Sequence, residues 1–358
     1  MAQKINSDIM KQNNRKEVLR LIRKEPCSRI KLAEKMGLTR AAISFICEEL
    51  IAEGFLVEGE KEASIGGRPA TVLRLNSDYG VFCGVHFTRS GYVVGVCDFS
   101  GSVKKEKKGT VVASNVAGTL QKIQGDLKGL LENENRLIGI GITAPGPLSR
   151  KKGTLGDVPN FSAWNQFPLV EYFEKAFGCK CVLDNFSNAL AYAECLQNPD
   201  CERRYLELIV DSGFGSAVAV VKNGISLLEC ELGHTSVNMF GEKCDCGNIG
   251  CAELYVNERK YHGTEQERET FYSALASVIV NAVNAFSVKQ AVFAGCMTED
   301  FGTFSQTLQA EIEKRGKKGI KLTQTCLNGK EVFVACNLLI TDGTIKTALA
   351  SKISDTRG

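Results

Sequence analysis

A chain of 358 residues is too long for one small domain, and its 44% hydrophobic and 24% charged residues describe ordinary globular protein, not a fibrous or disordered one. The sequence holds no apolar run of roughly 18 residues, which excludes a transmembrane helix, and the opening Met-Ala-Gln-Lys-Ile-Asn lacks the apolar core of an export signal. A net charge of +3 says little about nucleic acid, but residues 1–47 carry eleven Lys or Arg against four Asp or Glu, the electrostatic footprint of an attached DNA-binding module.

Residues 1–14 are polar and read as frayed. Between Arg15 and Lys24 the apolar positions Val18, Leu19, Leu21 and Ile22 recur at helical spacing, and Pro26 closes the segment. Ser28 is placed to cap a second helix, Arg29 to Met36, expected to bury Ile30, Leu32, Ala33 and Met36 and to end at Gly37. Thr39 caps a third helix through about Glu53, with Ala42, Ile43, Ile46, Cys47, Leu50 and Ile51 facing inward. Two short helices around a Gly-Leu-Thr turn make a helix-turn-helix, although a plain three-helix bundle has the same pattern. Phe55-Leu-Val57 and Thr71-Val-Leu-Arg-Leu75, flanking Gly66-Gly67-Arg68-Pro69, read as the two strands and tip of a wing. Arg40 and Ser44 would then reach bases or phosphates in the major groove, beside the cap Thr39. Arg68, brought close to the duplex by Gly66 and Gly67, would enter a narrow minor groove or else form a salt bridge across the linker.

From Val81 the pattern changes to apolar strands, Val81–Phe87 and Tyr92–Asp98, opening an α/β body. A helix around Val116–Leu131 leads to the strand Leu137–Thr143 and the turn Ala144-Pro-Gly-Pro147. Trp164, the only Trp, could line a pocket or simply fill the core. Val182–Asn188 precedes a helix through Glu194, and a strand pair surrounds Asp211-Ser-Gly213-Phe-Gly215. A helix from Phe271 to Phe286, a strand at Gln290–Phe293, an amphipathic stretch to Arg315 and a mixed tail complete the chain.

The stretch from Glu231 to Glu253 carries the most chemistry. His234, Cys244, Cys246 and Cys251, spaced H-x9-C-x-C-x4-C, supply a Cys3His set for a tetrahedral zinc, with Gly247 and Gly250 allowing the chain to fold back. Four protein ligands leave no open position, so such a zinc is structural. The remaining cysteines, in a chain without an export signal, suit a reducing, cytoplasmic setting as small buried apolar residues.

Together Glu231-x-Gly-His234 and Cys244-x-Cys-Gly-x-x-Gly-Cys251-x-Glu253 resemble the signature of the ROK family (repressors, open reading frames and sugar kinases), and the Gly-Arg-Pro at 67–69 is similar to a segment of its regulators. The likeness extends to about residue 300 and leans toward the sugar-responsive repressors of the xylose and N-acetylglucosamine type. It implies an N-terminal winged helix-turn-helix (1–75) followed by a two-lobed α/β body of the ribonuclease-H/actin, sugar-kinase type. The lobes would span 76–195 and 196–358, the second carrying the zinc loop. It further implies that Glu231, His234 and Glu253, with Asn160 and Asn185, contact sugar hydroxyls.

The kinases of this family have an acidic residue and a Gly-rich turn after the first strand; here the run is His86-Phe-Thr-Arg-Ser90. Their catalytic base falls at Phe186, which cannot accept a proton, and only Gly295 remains of a paired-glycine adenosine loop. These departures from the kinase pattern imply a regulator without catalytic residues. It would be a homodimer or homotetramer on a double-stranded operator, most readily a repressor, with a sugar or sugar derivative as effector and no membrane partner. The alternatives are an active sugar kinase with an added DNA-binding domain, and a repressor displaced by a protein partner.

Overall fold

Apolar spacing fixes the N-terminal helices, and ion pairs extend the first of them. The computed structural model describes residues 2–61, 69–158, 161–198, 201–221, 225–228 and 230–341. Helix α1 (Ala2–Lys24) begins well before the expected Arg15. Lys11 reaches Glu49 at 2.6 Å, and buried Arg15 spans Glu49 and Glu53, so the polar start of α1 is tied to a neighbouring helix. Strand β1 (Cys27–Ser28) precedes α2 (Arg29–Met36) and α3 (Arg40–Ala52). Gly37 ends α2 at φ +62°, and Thr39 Oγ1 accepts the Ala42 N–H at 3.2 Å, as expected of a left-handed C′ residue and an N-cap. Ser28 stands at the N-cap position of α2, paired with Val72, and its side chain makes no cap hydrogen bond.

Leu32, Ala33, Ile43, Ile46, Cys47 and Leu50 are buried, but Ile30 and Ala42 face solvent, contrary to expectation. Strands β2 (Leu56–Lys61) and β3 (Thr71–Leu75) pair antiparallel and complete a sheet of order β1-β3-β2.

The body contains two five-stranded sheets of one design. The first uses β4 (Val81–Phe87), β5 (Gly91–Asp98), β6 (Val103–Thr110), then, after α4 (Val116–Leu131), β7 (Leu137–Ala144). A short antiparallel pair, β8 (Leu148–Ser149) and β9 (Thr154–Leu155), and α5 (Leu169–Phe177) lead to β10 (Lys180–Asn185). After α6 (Phe186–Gln197), the second sheet uses β11 (Arg204–Val210), β12 (Phe214–Val221) and β13 (Ile225–Leu228). It continues through α7 (Glu258–Tyr261), α8 (Glu265–Phe286), β14 (Gln290–Gly295), α9 (Phe301–Lys314) and β15 (Lys321–Gln324). The orders β10-β7-β4-β5-β6 and β15-β14-β11-β12-β13 correspond: a three-stranded antiparallel meander with two parallel strands added beside its first member. Trp164 is core, fully buried, stacked on Phe161 and donating Nε1–H to the Ala113 carbonyl at 3.0 Å.

The last described helix, α10 (Glu331–Thr341), corrects the expected lobe boundary. It returns to the first sheet instead of staying with residues 196–330, packing across β4, β5 and β7. The strand glycines make room for it: a Cβ on Gly84 would lie 2.4 Å from the Val332 carbonyl oxygen, and one on Gly141 1.8 Å from that of Ala335. Glu-Val-Phe-Val-Ala-Cys-Asn-Leu-Leu is apolar on nearly every side because α10 is covered on nearly every side. Its Val332, Cys336 and Leu339 join one core with Phe55, Tyr79, Phe82 and Phe99, which also holds the N-terminal helices. Arg23 of α1 closes this junction by donating to the Phe99 carbonyl at 2.6 Å.

Candidate metal centre and ligand pocket

The Glu231–Glu253 stretch has little regular structure, so its shape comes from short hydrogen bonds and glycines. Leu232–His234 forms a single 3-10 turn, pinned to β12 where the Leu232 N–H donates to Ser216 Oγ at 3.1 Å. Gly247 and Gly250 have φ of +94° and +63°, and a Cβ on Gly250 would lie 1.7 Å from the Asn238 carbonyl oxygen. The turn they permit pairs Ser236 with Cys251 and Lys243 with Ile249, folding Cys251 back onto the start of the loop.

The four expected ligands meet as a result. One donor atom from each of His234, Cys244, Cys246 and Cys251 lies within 4.8 Å of the others. The Cys244 Sγ to His234 Nδ1 distance is 3.7 Å, and Cys246 Sγ to Cys251 Sγ is 3.6 Å. Thiolates bound at about 2.3 Å to a tetrahedral ion would sit about 3.8 Å apart, so the set fits a metal of that size and preference. Cys244 and Cys251 are buried and Cys246 is exposed, so one side of the centre faces solvent.

His234 divides its ring between two environments. Nδ1 faces the thiols, while Nε2 lies 3.9 Å from Glu253 Oε2. At that distance the carboxylate is an electrostatic neighbour of the ring and not a hydrogen-bond partner. Glu253 lies in the middle of the next short turn, Ala252–Leu254, and its Oε1 stands 4.0 Å from where a Cβ on Gly213 would project. Just after it, at the start of β12, a Cβ on Gly215 would strike Ser187 Oγ at 2.3 Å. The start of α6, the glycine loop and the metal loop therefore form one continuous run. Glu231 is exposed at the head of the Leu232 turn.

Asn185 stands at the other end of that run, half-buried, with Oδ1 accepting the Asn188 N–H at 2.8 Å as the N-cap of α6. Asp184, adjacent, is buried in a salt bridge with Arg150 at 3.0 Å and accepts from Asn188 Nδ2 at 2.9 Å. Burial raises its pKa despite these partners. Asn160, expected in the pocket, lies outside the described residues.

Sequence reasoning identified His86 and Phe186 separately and missed that they touch. Their ring centroids are 4.4 Å apart, and His86 Nδ1 lies 2.9 Å from Thr143 Oγ1 on the adjacent strand. Burial pushes the His86 pKa down to about 4, so the imidazole is neutral at physiological pH. An uncharged aromatic pair thus occupies the space between the ends of β4 and β7 and the start of α6.

On the N-terminal module, Thr39 is spent on its cap, Arg40 is exposed and Ser44 is half-buried. Gly67 and Arg68, the expected wing tip, lie outside the described residues. Among the described residues no helix is long and apolar enough to cross a membrane.

Comparison with known proteins agrees with this geometry. A xylose repressor from Caldicellulosiruptor bescii is 29% identical over 264 residues, covering 71% of this chain and 66% of that protein's length, so the match spans just under two thirds of the relative. A solved structure described as a ROK family transcriptional regulator, a homolog of the E. coli MLC protein, superposes with a TM-score of 0.77 at 20% identity, over 97% of this chain and 99% of that one. A ROK family glucokinase from Streptomyces griseus, in complex with glucose and AMPPNP, superposes with a TM-score of 0.59 at 18% identity, over 72% of this chain and 99% of its own. These likenesses establish a fold that regulators and kinases share. The ROK family model itself matches residues 82–261, half of the chain, and the protein belongs to the ROK family.

Proposed function

We propose that this protein is a sugar-responsive DNA-binding transcriptional regulator, a repressor, whose body binds a sugar without phosphorylating it. The N-terminal module is read as a winged helix-turn-helix: α2 and α3 meet across Gly37-Leu38-Thr39, and β2 and β3 flank the wing. The observation that carries the second half is the His86–Phe186 contact. Phosphoryl transfer needs a positioned base, a metal and a cradle for the phosphates. A phenyl ring at the base position and a neutral imidazole at the metal-side position offer neither proton acceptance nor charge. Loss of general-base help alone costs on the order of 100- to 10,000-fold.

Zinc is the metal assigned to the His234–Cys251 centre, where it would brace the loop that presents Glu231, His234 and Glu253 to sugar hydroxyls, with Asn160 and Asn185 opposite. A site joined to DNA-binding elements needs a mechanical link, and α6 provides one. Its first turn is capped by Asn185, and it packs against α10, whose other side joins the core of the N-terminal module. Burial raises the pKa of the Cys195 thiol near the end of α6, and the charges of Arg20 and Lys24 on α1 oppose that rise, which places α6 beside α1 as well. Closure of the cleft on a sugar would shift α6 and α10 together and move the module on its operator. A dimer or tetramer on a two-fold repeated operator suits a module of this kind.

The test is coupled ADP release, run with any sugar that raises the thermal midpoint. Background release supports the proposal; sustained turnover near about 1 per second, within the range of working enzymes, overturns it.

A further inference from the structure

The outermost line of α3 is not Arg40 and Ser44 but Ala41, Phe45 and Glu48. Ile43, Ile46, Cys47 and Leu50 bury one side of the helix, and at about 100° per residue the direction farthest from them passes between Ala41 and Phe45. Phe45 is 56% exposed. A single exposed apolar residue is ordinary on a protein surface, so exposure alone decides nothing. Three other features give this ring a direction.

Phe45 lies on the second helix of the pair, little more than one turn from the N-terminus that such helices insert into the major groove. Small residues surround its approach: Ala41 and Ala42 are both exposed, so no long side chain holds the backbone away from a base edge. The ring is also contacted by a fixed cation. Lys11 Nζ sits 5.0 Å from its centroid and is itself fixed by Glu49 at 2.6 Å, a cation–π contact that pre-orients Phe45 at the edge of the basic N-terminal segment. Glu48, one turn on, would be repelled by phosphates, which restricts entry to the N-terminal half of α3.

We propose that Phe45, with Ala41, reads the C5 methyl group of thymine in the major groove and makes α3 selective for thymine at the base pair it faces. The thymine methyl is the apolar feature of the major-groove edge, and an aromatic ring with an adjacent alanine is its natural complement. This inference rests on the reading of the N-terminal module as a DNA-binding one.

The experiment uses the full chain and a duplex that it selects from a random-sequence library, at fixed salt because phosphate contacts make affinity salt-dependent. Each thymine is then replaced singly by deoxyuridine, which lacks only the methyl group. At one or two positions per half-site the replacement should weaken binding about fourfold, the value of one buried methyl. Phe45→Ala should bind the unmodified duplex more weakly and no longer distinguish thymine from deoxyuridine at those positions. Phe45→Leu, which keeps an apolar side chain, should retain part of the discrimination. Indifference of the natural protein to deoxyuridine at every position would overturn the inference while leaving DNA binding intact. So would a Phe45→Ala protein that still discriminates. If the full chain selects no duplex, the DNA-binding reading falls and this inference falls with it.

Discussion

The contact between His86 and Phe186 can be tested through the pH dependence of stability. The folded pKa of His86 is about 4 against 6.5 for an unperturbed imidazole. The sign follows from linkage: the unfolded chain takes up this proton first, so the contribution is fully present above pH 6.5 and is lost as pH falls toward 4. Between pH 7.5 and pH 5 the natural protein should lose about 2 kcal/mol from this residue alone. His86→Gln can keep a hydrogen bond to Thr143 but has no titrating group. Urea unfolding of both proteins at the two pH values isolates the residue, because the carboxylates and the other two histidines are common to both. The stability difference between natural protein and variant should change by about 2 kcal/mol across the interval, with the natural protein losing more at low pH. A constant difference would mean that the imidazole titrates normally and is not held neutral against Phe186, contrary to the reading of this position as one without charge.

Three further outcomes follow from other parts of the molecule. Protein purified without chelator should contain one zinc per chain by elemental analysis, and Cys251→Ser, which removes a buried ligand, should release it and lower the thermal midpoint. Glu207 is fully buried in β11 with neither carboxylate oxygen hydrogen-bonded, and burial raises its pKa well above the usual range. It destabilises the fold increasingly as pH rises above about 4.5, so Glu207→Leu should raise the thermal midpoint at pH 8 more than at pH 5. Gly141→Val would place a side chain where α10 touches β7, 1.8 Å from the Ala335 carbonyl oxygen. It should cost about 1–3 kcal/mol or more in thermal or denaturant unfolding by forcing α10 off the sheet.

Much of this was legible in the sequence where function requires particular side chains at short spacing. The four candidate metal ligands lie within eighteen positions of one another, and two glycines mark the turn that joins them. Thr39 and Gly37 could be read because caps act within a few residues. What could not be read were contacts between distant segments. The role of α10 was hidden because an all-round apolar helix has no periodic face to indicate which surface it covers. Gly84 and Gly141 looked like ordinary strand glycines, and their reason lies about 250 and 190 residues away, at Val332 and Ala335. His86 and Phe186 were each conspicuous as residue types, yet only the fold brings their rings together. The exposed Phe45 was within reach of a helical wheel centred on Ile43, Ile46, Cys47 and Leu50.

The central claim is that a sugar controls DNA binding through the ROK body, and one titration tests it most directly. The affinity of the full chain for its selected duplex is measured by fluorescence anisotropy, with no nucleotide present, across a panel of aldoses, N-acetylated sugars and their phosphates. At least one sugar should weaken binding at least tenfold, a coupling of about 1.4 kcal/mol between the two sites. An affinity that stays the same with every sugar in the panel would contradict the claim.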